Sequence, residues 1–287
     1  FYQGTWILLL LTLSLILEGG KILVVSQDGS HWLSMRPVVE KLQQKGHEVV
    51  VLVPSTSLYM KSEERQNYTV QAYPIPYPEE YLGEMLKAFV HAHFLEQSVW
   101  NVVLTSYQST IEISSVFFTN CKSLLQNKEL MQYLKESKFD LIFTDPILMC
   151  GPLVAEYLAL PSIYFLRGFP CGMDSAATQC PSSTQCPRPP SYVPRGFTQF
   201  TDHMTFFQRV KNLLHDIPDI FLCNFLYDPF TKLASEFLQQ DVTVQDLLRQ
   251  ASVWLLRSDF VLEYPRPLMP NIIPIGGVNC AHKELPQ

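Results

Sequence analysis

The stretch Lys21 to Pro54, KILVVSQDGSHWLSMRPVVEKLQQKGHEVVVLVP, restricts the fold more than any other part of the chain. It reads as strand, turn, helix, strand. Lys21 to Ser26 is a β-branched and Leu run, and Asp28-Gly29-Ser30 supplies turn chemistry. Trp32, Met35, Val38, Val39 and Leu42 then repeat with helical period. Gly46 stands where a helix C-cap belongs, and Glu48 to Val53 is an almost unbroken apolar run, as in strands buried on both faces. Joined in this order the pieces form a right-handed βαβ unit in a parallel sheet. Such sheets bind ligands beyond the carboxyl ends of their strands, so the turn after the first strand is the place to look for chemistry, and His31 is there.

At 287 residues, with 47% hydrophobic and 17% charged side chains, the chain can bury a substantial core as one large domain or two smaller ones. A net charge of −6 and the lack of any Lys/Arg-rich run argue against nucleic acid as a partner. Seven cysteines in so long a chain do not make a disulfide scaffold, and the odd count leaves at least one thiol unpaired within the monomer.

Residues 1–20 read as a signal peptide. Trp6 to Leu17 is apolar except for Thr12 and Ser14, but such a helix reaches only about 18 Å against a hydrocarbon core of roughly 30 Å. Gly19-Gly20 suits cleavage before Lys21, and the missing Met and basic start suggest a sequence clipped at its beginning. Asn67-Tyr68-Thr69 is an N-glycosylation sequon in a polar stretch, which makes Asn67 a glycan candidate in a secretory-pathway protein. Val70 to Pro74 reads as a strand. Glu79 to Leu95, Gln97 to Gln126 and Lys128 to Glu136 read as helices. His91 and His93 form an H-x-H pair, but on a helix residues i and i+2 point apart, so no metal site is expected.

Asp140 to Phe143 is the next strand, ending in Thr144-Asp145-Pro146. Asp-Pro starts turns readily, so Asp145 has an ordinary structural reading. It also stands at the carboxyl end of a strand, the same sheet edge as His31, which makes the two a candidate constellation. Helix Cys150 to Leu158 and strand Ser162 to Leu166 complete a second βαβ. From Arg167 to Arg195 closely spaced Pro and Gly exclude regular structure, and a loop this long reads as a lid or pocket wall. Its Cys171, Cys180 and Cys186 lack the spacing of a zinc site and suit a disulfide better. Beyond it, Phe200 to Leu213, Pro229 to Gln239 and Val244 to Gln250 read as helices and Ser252 to Leu256 as a strand. A nicotinamide enzyme would need G-x-G-x-x-G where Gln27-Asp28-Gly29-Ser30-His31-Trp32 stands, and no G-x-S-x-G nucleophile elbow occurs.

Ala251 to Cys280, ASVWLLRSDFVLEYPRPLMPNIIPIGGVNC, closely resembles the segment that ends the acceptor-binding half of the UDP-glucuronosyltransferases of the vertebrate 1A group. FDLIFTDP at Phe139 to Pro146, PPSYVP at Pro189 to Pro194 and VSQDGSHWLSM at Val25 to Met35 are similar to that family as well. The resemblance therefore extends from the leader to Gln287.

The resemblance implies an α/β fold: the Rossmann-like amino-terminal domain of a GT-B glycosyltransferase, a parallel sheet with helices on both faces. Residues 21–280 would be the acceptor-binding domain and residues 281–287 the start of a linker to a donor-binding domain. It implies His31 as general base and Asp145 as the carboxylate that orients it. A phenol or alcohol becomes nucleophilic as its proton leaves, and an imidazole with an ordinary pKa near 6.5 can take that proton at neutral pH. The co-substrate would be UDP-glucuronic acid, held mainly by the other half; the acceptor would be a small lipophilic compound. No protein-bound metal or cofactor is required. The family also implies the endoplasmic reticulum lumen, a membrane anchor in the full-length protein, and homo- or hetero-oligomers. As a truncated protein, the same half could instead bind lipophiles or regulate full-length enzymes by dimerisation without catalysis. Tyr107, Phe117, Phe118, Phe169 and Met173 suit pocket wall and ordinary core equally.

Overall fold

The computed structural model describes residues 19–60, 67–94, 99–168, 189–195, 198–257, 261, 263–278 and 280. The leader, Cys171, Cys180, Cys186, Phe169, Met173 and residues 281–287 lie outside them, as do the side chains of His91 and His93.

The strands are β1 (Lys21–Val25), β2 (Glu48–Pro54), β3 (Thr69–Tyr73), β4 (Leu141–Thr144), β5 (Ser162–Leu166), β6 (Ala251–Leu256) and β7 (Ile272–Pro274). They form one parallel sheet in the order β3-β2-β1-β4-β5-β6-β7. This is the Rossmann-like order, and it reverses direction between β1 and β4. The helices are α1 (Ser30–Gln44), α2 (Glu79–Phe94), α3 (Val99–Gln126), α4 (Lys128–Glu136), α5 (Cys150–Leu158), α6 (Phe206–Leu214), α7 (Asp216–Leu238) and α8 (Val244–Arg249).

The period-two alternation of each strand sends neighbouring side chains to opposite cores. Ile22 and Val24 pack with Val49, Val51, Phe143 and Phe165 against Trp32, Met35 and Val39 of α1. Leu23 and Val25 face the larger core, built with Leu124, Leu134, Leu153, Phe230 and Leu248 from α3, α4, α5, α7 and α8. Both faces are thus covered, which is why the central strands read as continuous apolar runs. A disulfide joins Cys121 near the end of α3 to Cys150 at the start of α5, with Cα atoms 5.3 Å apart. Cys223 is also disulfide-bonded, while Cys280 is free.

Two sequence boundaries need correction. The helix expected from Phe200 begins only at Phe206, because Thr205 is its N-cap and forms a capping box with Gln208. The helix expected from Pro229 starts at Asp216 and runs through that proline. An internal proline removes one helical hydrogen bond at a cost of about 3 kcal/mol. Tyr227, Phe230, Leu233 and Ala234 are buried on the core side of this helix, and at roughly 1.5–3 kcal/mol for a fully buried large apolar side chain their burial offsets that loss. The short edge strand β7 was not anticipated; three residues are too few for periodicity to register. Among the described residues no helix is long and apolar enough to cross a membrane.

Candidate functional site

The strand order reverses between β1 and β4, the place where such sheets open a crevice beyond their carboxyl ends, and both residues singled out lie at those ends. After β1, Gly29 takes φ +91°, a conformation that favours glycine, and turns the chain into α1. His31 then falls in the first helical turn. After β4, the Thr144 hydroxyl and the Asp145 N–H both donate to the Val25 carbonyl, at 2.7 Å and 3.2 Å, which ties the two strand ends together.

In that arrangement His31 Nδ1 lies 2.5 Å from Asp145 Oδ2. The Asp145 carboxylate is almost entirely buried, whereas the His31 side chain keeps 23% of its surface. A carboxylate can only accept, so Nδ1 carries the hydrogen, and in the neutral imidazole Nε2 is then the acceptor nitrogen. The other carboxylate oxygen, Oδ1, accepts from the Ile147 N–H at 3.0 Å. The turn reading and the constellation reading of Asp145 are therefore both realised, one on each oxygen.

Three further residues build the edge. Asp28 does more than form a turn: its carboxylate accepts from the N–H groups of Leu58 (2.7 Å) and Tyr59 (3.0 Å), clamping the loop after β2 onto the β1–α1 turn. Arg167 follows β5 and donates to the Ser30 hydroxyl at 2.7 Å. Arg257 follows β6 and bonds the Ser34 hydroxyl. Burial, and then the charge of Arg167, lower the Arg257 pKa from its ordinary range. Two guanidinium groups thus meet the positive amino-terminal end of α1 beside His31. The signal was present as Leu-Arg at the end of both strand-like runs, Leu166-Arg167 and Leu256-Arg257. Without the sheet order nothing said that these strands lie side by side.

Next to the dyad is an apolar cavity of about 230 Å³, walled by Phe89 of α2, Ile113 and Phe117 of α3, Tyr227 and Phe230 of α7, and Ile147. Ile147 belongs to both features, since its N–H holds Asp145 and its side chain lines the cavity. Of the pocket candidates that are described, Phe117 lines this space, Phe118 packs edge-on against Phe230 and Tyr107 is exposed. Among the described residues no cluster of His, Cys, Asp and Glu is placed to hold a metal ion. Asn67 is exposed, two residues before β3, while the adjacent Tyr68 is buried edge-on against Trp32.

Residues 20–287 match the family model described as UDP-glucoronosyl and UDP-glucosyl transferase. The chain is 49% identical to human (Homo sapiens) UDP-glucuronosyltransferase 1A1 over 93% of its own length and 49% of that protein's. It is 47% identical to human UDP-glucuronosyltransferase 1A6, over 93% of this chain and 48% of that protein. The chain thus spans about half the length of the curated relatives it matches. Among solved structures, the calicheamicin glycosyltransferase CalG4 is similar with a TM-score of 0.49 and 13% identity, over 91% of this chain and 53% of that one. With a family match that begins at the first strand and runs through the dyad to the last residue, the chain belongs to the UDP-glucoronosyl and UDP-glucosyl transferase family.

Proposed function

We propose that this chain is the acceptor-binding and catalytic-base half of a UDP-glucuronosyltransferase. The observation that carries this reading is the 2.5 Å contact between His31 and Asp145 at the switch point of the sheet, beside an apolar cavity. In the proposed reaction, a lipophilic phenol or alcohol sits in the cavity and gives its proton to His31 Nε2 as its oxygen bonds to the anomeric carbon of UDP-glucuronic acid. The carbon–oxygen bond to UDP breaks with its electron pair on the leaving diphosphate, and attack from the opposite side gives an inverted β-glucuronide. Asp145 is a positioning residue that keeps the Nδ1–H tautomer and stabilises the imidazolium. Arg167 and Arg257 present positive charge at the same edge, which suits a donor carrying a diphosphate and a carboxylate.

The donor itself is bound by the other half of the protein, consistent with relatives about twice as long. Joined to the carboxyl-terminal half of UDP-glucuronosyltransferase 1A1, the chain is expected to transfer glucuronic acid from UDP-glucuronic acid to a simple phenol. A folded fusion that binds donor and acceptor without transfer would overturn the proposal in favour of a non-catalytic, lipophile-binding role. We assign the working compartment to the endoplasmic reticulum lumen, with the leader removed before Lys21 and a glycan on the exposed Asn67. The Cys121–Cys150 disulfide fits an oxidising compartment. Mass spectrometry of the product made in secretory-competent cells checks the leader and the glycan, and an unmodified Asn67 with a retained leader contradicts both.

A further inference from the structure

Ser114 and Ser115 stand side by side on α3 and meet different surroundings. Ser115 is exposed, whereas Ser114 is partly buried and lines the apolar cavity together with Ile113 and Phe117. A serine or threonine within a helix can spend its hydroxyl hydrogen on the carbonyl one turn back. Thr105 and Ser109 of the same helix do so, donating to the carbonyls of Asn101 and Thr105 at 2.6 Å and 2.7 Å. Ser34 on α1 and Ser137 after α4 do so as well, at 2.7 Å each. Among the described residues the Ser114 hydroxyl makes no such bond, either to the Thr110 carbonyl or to a side chain. The walls around it are mainly aromatic and aliphatic, with Phe89, Leu226 and Phe230 facing the same space. A lone polar group in an apolar cavity is costly to leave unpaired, and such groups are what fix the orientation of a ligand.

We infer that Ser114 is a specificity-determining residue, which selects acceptors carrying a carbonyl or similar hydrogen-bond-accepting group at the end remote from the reacting hydroxyl. The inference rests on the reading of this cavity as the acceptor site, and it names the acceptor class that the cavity prefers. The walls differ in what they carry. Ile147 belongs to the dyad side, because its N–H donates to Asp145 Oδ1 at 3.0 Å. Ser114 enters from α3, an element that carries no part of the dyad. A phenol whose hydroxyl approaches His31 past Ile147 therefore leaves its other substituent to the helical walls, where the unspent hydroxyl hydrogen waits. An alkyl substituent there strips water from Ser114 and returns nothing. A carbonyl accepts the hydrogen. Sites that hydrogen-bond one ligand reject the isostere lacking that group, because the polar group of the protein is then left unpaired.

The test compares para-hydroxyacetophenone with para-isopropylphenol, two phenols of equal heavy-atom count that exchange a carbonyl oxygen for a methyl group. One ring with a small substituent suits a cavity of about 230 Å³. Binding of each to the full chain is measured by calorimetry, without donor, in the parent, Ser114→Ala and Ser115→Ala. Each ligand is compared with itself across the variants, so the different acidities of the two phenols cancel. In Ser114→Ala, para-hydroxyacetophenone is expected to bind about threefold to tenfold more weakly, the range of one neutral hydrogen bond, while para-isopropylphenol changes by less than about twofold. Ser115→Ala, on the exposed side of the helix, is expected to change neither. Equal losses for the two phenols, no loss for either, or the same shift in Ser115→Ala overturns the inference, as does a parent that binds neither phenol. Ala is a better helix former than Ser, and retained affinity for para-isopropylphenol reports that the variant is folded. Should Ser114→Ala misfold, Ser114→Cys replaces it, with the same direction of change because a thiol donates only weakly. Transfer by the fusion enzyme is scored separately. A fusion that glucuronidates both phenols with a preference untouched by Ser114→Ala leaves the transferase reading standing and overturns this inference. A fusion that transfers to neither, on a chain whose binding preference depends on Ser114, does the reverse.

Discussion

At the scale of residues, the proposed chemistry turns on how Asp145 divides its two oxygens. Oδ1 holds the Ile147 N–H and so shapes the turn, while Oδ2 holds His31. Asp145→Asn separates the two roles. The amide oxygen can still accept from Ile147, so stability is expected to change by less than about 1 kcal/mol. The amide nitrogen, however, faces Nδ1 as a donor and selects the other histidine tautomer. In the fusion enzyme, phenol turnover is therefore expected to fall about 10²-fold or more with acceptor affinity nearly unchanged. Rate, melting temperature and acceptor binding measured on one preparation check this, and near-normal turnover would remove Asp145 from the mechanism. His31→Ala is expected to cost at least about 10²-fold with phenols and alcohols, the usual scale for a lost general base. Tertiary amines attack through a lone pair with no proton to remove, so their loss should be much smaller. Equal losses for both acceptor types would give His31 a structural role only.

At the scale of elements, most helices and strands form where local pattern places them, and the exceptions have tertiary causes. Helix α4 begins where Asn127 caps the Leu130 N–H, and its bounds follow the sequence reading from Lys128 to Glu136. Helix α7 ignores the breaker at Pro229 because its core face outweighs one missing hydrogen bond. The close approach of α5 to β4 sets another demand that periodicity cannot express. A Cβ built on Gly151 would lie 1.8 Å from the Thr144 hydroxyl oxygen, the same hydroxyl that binds the Val25 carbonyl. Gly151→Ala is thus expected to destabilise the protein by about 1 to 3 kcal/mol and to disturb the strand end that carries Asp145. Denaturant unfolding together with fusion turnover checks both effects; a variant as stable and active as the parent would mean that α5 shifts freely. Helix α6 belongs here too, since its buried residue is Asn212 while Phe206 and Phe207 are exposed. Its period marks it as amphipathic from sequence, but the sign of its facing is set by Asn212, Arg195 and Asp216, residues no pattern rule assigns inward.

At the scale of the whole molecule, the Cys121–Cys150 disulfide ties α3 to α5 within the larger core across a sequence separation of 29 residues. Chain-entropy reasoning gives such a bridge about 3 to 4 kcal/mol. Cys121→Ala/Cys150→Ala is accordingly expected to lower unfolding free energy by roughly that amount. The β1–β2–β4 amides should remain the last to exchange, since they lie at the centre of the sheet. Chemical denaturation and hydrogen exchange check the two parts. The amino-acid sequence by itself determined the parallel α/β class, the βαβ unit from Lys21 to Pro54, and His31 and Asp145 as residues at strand ends, because period-two and helical periods, turn residues and strand polarity are local properties of the chain. The family, too, was legible in long ordered motifs such as Val25 to Met35 and Phe139 to Pro146. Only the tertiary structure decided that His31 and Asp145 touch, that Arg167 and Arg257 converge on α1, that Cys121 pairs with Cys150, and that α6 turns its apolar side out. Each of these depends on which strands are neighbours and which helix faces meet, and those distances are set by packing between segments tens to hundreds of residues apart.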